Sequence, residues 1–154
     1  MQTPEPQLEP VYDAPPARRP LAPFEGLGER VAWLGGLALA VSAFTGWYSG
    51  VGEGVAVSVL GWNTGVLGKL VFFLGLGILA LVALRRFGVA LPAAVPESLL
   101  VILLGSAAFV CILVRTISIP DEFFFAHRGV GLWISLAAAL AVIVGGLLEV
   151  SEEL

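Results

Sequence analysis

The sequence predicts an all-α membrane protein, a four-transmembrane-helix bundle with a short extracytoplasmic β-hairpin-like loop. The first observation is composition: the chain of 154 residues is 58% hydrophobic and only 13% charged, whereas soluble domains are about 45–50% apolar even with glycine included. The second is that the apolar residues form windows near the ~20 residues that a helix needs to cross about 30 Å of hydrocarbon. These four windows are 31–48, 66–84, 98–114 and 130–148.

The windows divide the chain into three parts. Residues 1–29 form a tail that holds seven of the ten prolines, and it has too few large apolar side chains to offset the entropy lost on ordering. We therefore expect a disordered, Pro-rich cytoplasmic tail that acts as a solvated tether, although residues 20–23 formally match a PxxP ligand. Residues 30–149 form the transmembrane domain, and residues 150–154 form an acidic C-terminal tail.

Local signals justify each window in turn. Arg30 precedes the first window, and the second begins after the capping residues Asn63 and Thr64. Two prolines and Glu97 introduce the third window, where a carboxylate suits the positive end of a helix dipole. Further boundary residues are Arg85, Arg86 and Gly88 after the second window, Pro120 after the third and Gly129 before the fourth.

The distribution of Lys and Arg predicts the orientation in the membrane. Five of these residues fall on the side that holds the amino-terminal tail and the middle loop, against three on the other side. Because cytoplasmic loops are enriched in Lys and Arg, we expect a multi-pass protein of the cell membrane with both termini in the cytoplasm. We interpret the first window as a signal anchor rather than a cleaved signal peptide, since a short basic segment does not precede it.

Residues 46–65, GWYSGVGEGVAVSVLGWNTG, join the first two windows. Valine recurs at every second position from Val55 to Val59, which is the period of a strand, and glycines flank Glu53 as in a turn. This pattern predicts a short hairpin on the outer surface. An isolated two-stranded ribbon is marginal in water, so the hairpin must rest on the helix ends, the headgroups or another subunit.

Aromatic residues at the expected membrane boundary are predicted to anchor the protein there, since amphipathic rings are enriched at headgroup depth. The predicted anchors are Trp47, Tyr48, Trp62, Phe123, Phe124 and Phe125. Small residues at four-residue spacing are predicted to let helices approach closely, within the bundle or between subunits. They are Ala32, Gly36 and Ala40 in the first window, and Gly131, Ser135, Ala139, Ala137, Ala141 and Gly145 in the fourth.

One loop gathers polar side chains that could carry chemistry. Its members are Arg115, Asp121, Glu122, His127 and Arg128. Carboxylates and an imidazole could bind a divalent ion or transfer protons, but such a cluster is more often a set of salt bridges that fixes a loop. We favour the structural interpretation.

The remaining residue types argue against catalysis and cofactors. Cys111 is the one cysteine and His127 the one histidine, so paired thiols and a bis-imidazole haem site are excluded. The middles of the windows hold no acid or histidine, which proton-coupled carriers and intramembrane proteases need. The sequence therefore predicts no catalytic, cofactor or metal site, and with no basic stripe it predicts no nucleic-acid partner.

Several motifs after residue 27 occur together in a recognisable order. Gly28-Glu29-Arg30 opens the first window, Trp47-Tyr48 closes it, Trp62-Asn63 precedes the second, and Arg115, Ile117 and Pro120 follow the third. With these motifs the chain resembles a family of small four-span membrane proteins from actinobacteria. The resemblance implies a fold and a lineage but no activity.

The function expected from the sequence is that of a noncatalytic integral membrane accessory or scaffolding subunit of a larger assembly. Its expected partners are the lipid bilayer and either other membrane protein subunits or further copies of the same chain. The alternative is a small oligomeric transporter or pore, although the windows offer only scattered Ser and Thr to line one.

Overall fold

A computed structural model describes residues 26–52, 54–89, 96–119 and 127–153. The described chain is mostly helical, as the sequence predicted. Its four long helices are α1 (Leu27–Ser42), α2 (Val66–Arg86), α3 (Glu97–Ile117) and α4 (Val130–Glu153). The predicted tail up to residue 25 and the loop residues Asp121, Glu122, Phe123, Phe124 and Phe125 lie outside the described ranges.

A small antiparallel sheet lies at one end of the bundle. Its strands are β1 (Gly46–Gly52), β2 (Val55–Leu60) and β3 (His127–Arg128), and β1 lies between the other two. A short 3-10 turn, Gly61–Thr64, joins β2 to α2. Because β3 comes from the segment before α4, the sheet connects both halves of the chain.

The four helices form a closed ring of contacts in which α1 and α3 each pack against α2 and α4. The two helices at the ends of the chain run antiparallel, since Gly28 near the start of α1 lies against Gly145 near the end of α4. Gly131 at the start of α4 lies correspondingly against Thr45, just beyond α1. The end at which α1 begins is called the tail end below, and the other the sheet end.

Three of the helices, α2, α3 and α4, are long and apolar enough to cross a membrane. The first window differs from the prediction, because the helix ends at Ser42 and residues 46–48 belong to β1. With 16 residues, α1 is about 24 Å long at 1.5 Å per residue, shorter than the ~30 Å of a hydrocarbon core. The part of the chain that the structure describes therefore holds three helices of spanning length, not four.

Candidate interaction surface at the sheet end

The chain leaves α1 through a turn that Ser42 organises. The carbonyl oxygen of Ser42 accepts hydrogen bonds from the Thr45 hydroxyl at 2.6 Å and from the Trp47 indole nitrogen at 2.9 Å. The Thr45 amide donates to the same oxygen at 3.0 Å, so the chain tightens into a turn here instead of continuing the α-helix. A β-carbon at Gly61 would lie 2.5 Å from the Trp47 ring, so glycine is needed where the 3-10 turn crosses the indole.

Trp47 and Tyr48 lie inside the protein, with 0% of either residue exposed. Trp47 bonds to the end of α1 and Tyr48 bonds to α3, so both rings pack within the protein. Their placement at the depth of the membrane boundary stays a prediction. The Tyr48 hydroxyl donates to the Arg115 carbonyl oxygen at 2.8 Å. Burial raises the pKa of Tyr48, and the positive charges of Arg115 and Arg128 oppose part of that rise.

Arg115 joins the end of α3 to the start of α2. Its Nη2 group donates to the Thr64 carbonyl oxygen. Its Nε group is buried and has no hydrogen-bond partner among the described residues. Arg128 donates from Nε to the Thr116 carbonyl oxygen at 2.5 Å. Both arginines of the predicted loop cluster therefore bond to backbone carbonyls, while its two acids lie outside the described ranges.

The sheet turns one face away from the bundle. Ser49 pairs with Ser58 on one side and with His127 on the other, so the three side chains share this face. An open groove of about 390 Å³ runs over it. His127 and Ser49 are adjacent, and no hydrogen bond joins their side chains among the described contacts.

The β1–β2 ribbon exposes apolar side chains on both of its faces, since Val51 shares the face of Ser49 whereas Val55 and Val57 lie on the other. Val51 is 70% exposed, Val55 66% and Val57 40%. Within the described sheet, β2 is an edge strand that pairs with β1 alone, and its residues carry no charge. Natural edge strands are usually protected by charges, prolines or bulges. An uncharged, valine-rich edge is the property expected of a surface that another chain covers.

The predicted small residues fall mainly on helix contacts. Gly36 and Ala40 pack against Gly75 of α2, while a β-carbon at Gly145 would lie 2.6 Å from the Ala32 backbone nitrogen. Those of the set that are buried are Ala32, Gly36, Ala40, Gly131, Ser135, Ala139 and Gly145. Ala137 is exposed and Ala141 half-buried, and both line an apolar groove between α1 and α4.

A buried hydroxyl pair was missed by the sequence reasoning. Ser135 of α4 lies 2.8 Å from the Ser42 hydroxyl of α1, and both residues are enclosed. A hydrogen bond between buried hydroxyls fixes the depth at which two helices meet. Each serine is visible in the sequence as a polar residue within an apolar window. Nothing in either window, however, indicates that the two serines contact each other.

Ion pairs at the tail end were also missed. Glu149, 2% exposed, lies 3.3 Å from Arg85, which also lies 3.7 Å from Glu97. Arg86 and Glu29 form a second pair at 2.5 Å. Glu152 accepts hydrogen bonds from the backbone amides of Gly26 and Gly28 and so caps α1. These contacts connect all four helices at the tail end.

The described residues contain no group of three or more His, Cys, Asp or Glu side chains placed to hold a metal ion. No protein-family profile, curated protein or solved structure matches the chain. The resemblance to actinobacterial four-span proteins therefore stays a prediction.

Proposed function

We propose that this protein is a noncatalytic accessory or scaffolding subunit of a larger assembly in the cell membrane. In this proposal α1 is the fourth span, and local thinning of the bilayer accommodates its shorter length. Both termini lie in the cytoplasm, and the sheet end lies outside. The lipid-facing surface is supplied by the many exposed leucine, valine and phenylalanine side chains of the helices.

The observation that carries the proposal is the exposed β1–β2 ribbon. It is uncharged along β2 and apolar at Val51, Val55 and Val57, and it projects from the sheet end. An extended segment of another membrane subunit could pair with the free edge of β2 through backbone hydrogen bonds, the recognition mode called β-augmentation. The valines would then be covered by the same partner.

The close packing between helices favours the scaffold function and argues against a transporter formed by a single chain. At the α1–α4 contact, a β-carbon at Gly28 would lie 2.9 Å from the Gly145 carbonyl oxygen. At the α1–α2 contact, a β-carbon at Gly75 would lie 2.7 Å from the Ala40 backbone nitrogen. Backbones this close leave no room for a solute between α1 and α4 or between α1 and α2 at these contacts. The alternative of a small pore would need several copies of the chain.

The test compares two Val→Lys variants in native membranes. Val57→Lys places a charge on the ribbon, whereas Val89→Lys places it beyond α2 at the opposite end, at a residue that is also exposed. After mild detergent extraction, the wild type and Val89→Lys should migrate as the same large assembly by native electrophoresis. Val57→Lys should migrate as a smaller species with unchanged helical circular dichroism.

A photo-cross-linking experiment identifies the protein that covers the ribbon. A photoreactive group is attached to Ala56→Cys, an exposed position on β2, in a Cys111→Ala background. The cross-link should join the chain to a different subunit and disappear in Val57→Lys. A product with twice the mass of this chain would identify a homo-oligomer instead. An assembly of unchanged size in Val57→Lys would contradict a docking role for the ribbon.

A further inference from the structure

A cluster of aromatic rings lies on the outer surface where α1 gives way to β1 and where α2 begins. Phe44 stacks on Trp62 with ring centroids 5.5 Å apart, and Phe72 meets both rings edge-on. Phe73 completes the cluster, 5.3 Å from Phe72. Phe44 is 49% exposed and Phe73 is 59% exposed, so the cluster presents an apolar surface outward.

The backbone fixes Trp62 at this position. The Trp62 amide donates to the Ala43 carbonyl oxygen at 2.6 Å, and the neighbouring Gly61 amide donates to the Thr45 carbonyl oxygen at 3.1 Å. The 3-10 turn is therefore held against the end of α1. The indole is preorganised before any ligand arrives, which reduces the entropy lost on binding.

A single cation lies over this ring. The ammonium group of Lys69 is 5.6 Å from the Trp62 ring centroid, within range of attraction to the π face. Lys69 is exposed, and it has no ion pair or hydrogen bond from its side chain to any described residue. Its charge is thus held at a defined place, and no acidic side chain of the described residues pairs with it.

The surroundings of Lys69 favour an anion. Every charged side chain that the structure describes at the sheet end is cationic, namely Lys69, Arg115 and Arg128. Lys69 also lies in the first turn of α2, whose amino terminus carries partial positive charge. The surface beside it is apolar. A cation at the boundary of an apolar helix surface matches a phospholipid, whose phosphate and acyl chains lie side by side.

We propose that Lys69 and the Phe44–Trp62–Phe73 surface bind one anionic phospholipid, with its phosphate at the Lys69 ammonium and its acyl chain along the rings. The site is separate from the ribbon proposed to bind another subunit. It needs only that α2 crosses the bilayer with its amino terminus at headgroup depth.

The structure allows a fluorescence test that reports mainly on Trp62. The protein has four tryptophans. Trp33 and Trp133 are 36% and 54% exposed on the helix surface, so both can be replaced by Phe without opening an internal cavity, and Trp47 is fully enclosed. In this double variant, a quencher on a lipid acyl chain reaches Trp62 alone.

The variant is reconstituted in phosphatidylcholine vesicles that contain equal small fractions of brominated phosphatidylglycerol or brominated phosphatidylcholine. We expect stronger quenching by the anionic lipid, with an apparent association about fivefold higher, which corresponds to about 1 kcal/mol for one basic residue at the surface. Lys69→Gln should abolish the preference, and Lys69→Arg should keep it. Circular dichroism confirms that both variants fold.

Equal quenching by the two lipids in the wild type would overturn the proposal. A preference that survives in Lys69→Gln would overturn it as well. Loss of the preference on adding inorganic phosphate at constant ionic strength would assign the site to a soluble anion instead and so reject the lipid. Since Lys69→Gln leaves the ribbon intact, its assembly should keep the wild-type size, so this test and the Val57→Lys test fail independently.

Discussion

The hydroxyl of Tyr48 donates a hydrogen bond to the backbone carbonyl oxygen of Arg115, so the middle strand of the sheet is bonded to the last turn of α3. Tyr48→Phe removes the donor and leaves a buried ring in place. We expect the free energy of unfolding to fall by about 0.5–1.5 kcal/mol, the usual net contribution of one hydrogen bond. Thermal unfolding followed by circular dichroism in detergent measures this change. Ser49→Ala, at the exposed neighbouring position, is the control. It should change the free energy of unfolding by less than about 0.5 kcal/mol.

The ionisation of Tyr48 should occur at a higher pH than that of an ordinary tyrosine, because burial raises its pKa from the usual value of 10.0. The unfolded chain loses this proton at lower pH than the folded one. The contribution to stability is therefore complete below pH 10 and is lost as the pH rises through the folded pKa. The chain has two tyrosines, so phenolate absorbance of the Tyr12→Phe protein reports on Tyr48 alone. A midpoint at or below that of free tyrosine would refute the assignment.

Gly145→Ala should destabilise the bundle, whereas Gly77→Ala should not. A β-carbon at Gly145 meets the Ala32 backbone at 2.6 Å, while at Gly77 the nearest atom is Leu104 Cδ1 at 3.7 Å. We expect a loss of about 1–3 kcal/mol at Gly145 from overpacking. At Gly77 we expect a gain of up to about 1 kcal/mol, because alanine is the better helix former. Both are read from thermal unfolding, and equal effects at the two sites would contradict the proposed close contact.

Arg115→Ala should loosen the sheet end, because it removes the donor to the Thr64 carbonyl oxygen. Hydrogen exchange of the amides around the 3-10 turn should become faster. His127→Ala is the comparison, and it should leave folding and assembly nearly unchanged because His127 is exposed on the outer face of the sheet. Calorimetric titration with zinc and manganese tests the competing interpretation, in which the loop cluster binds a divalent metal ion. Tight binding in the wild type that is lost in His127→Ala would identify a metal site.

The orientation can be tested with two single cysteines in a Cys111→Ala background. Position 49 lies on the outer face of the sheet, and position 93 lies in the sequence between α2 and α3, outside the described residues. The two variants are Ser49→Cys and Ala93→Cys. An impermeant maleimide applied to intact cells should label position 49 and spare position 93. The opposite pattern would place the sheet end in the cytoplasm. Labelling of both after permeabilisation is the control for reactivity.

The hydropathy of the sequence predicted the three longer helices to within a few residues at most ends. The windows 66–84 and 98–114 compare with Val66–Arg86 and Glu97–Ile117. The first window was extended too far because Trp47 and Tyr48 were interpreted as amphipathic anchors at the end of a span. Hydropathy does not register the turn in which the Ser42 carbonyl accepts hydrogen bonds from Thr45 and Trp47.

The contacts that build the sheet end could not be predicted from local patterns. Tyr48 and Arg115 are 67 residues apart in sequence, and β3 is only two residues long. The hydrogen bond between Tyr48 and Arg115 and the pairing of β3 both depend on where the helices place segments that are distant in the sequence. The small-residue spacing indicated that α1 and α4 contact other helices, but the spacing alone did not pair Ser42 with Ser135. The contact between the Lys69 ammonium group and the Trp62 ring likewise became evident only in the fold.

The hydrogen bond from Gly26 to Glu152 spans 126 positions of the chain, and the α1–α4 contact that it closes is the most extensive one between helices. A ribosome makes α1 first and α4 last. During synthesis, the glycine-lined face of α1 therefore stays without its main partner until α2, α3 and α4 have been translated. A nascent chain that stops before α4 keeps that face open, which offers membrane quality control a means of distinguishing unfinished molecules from finished ones.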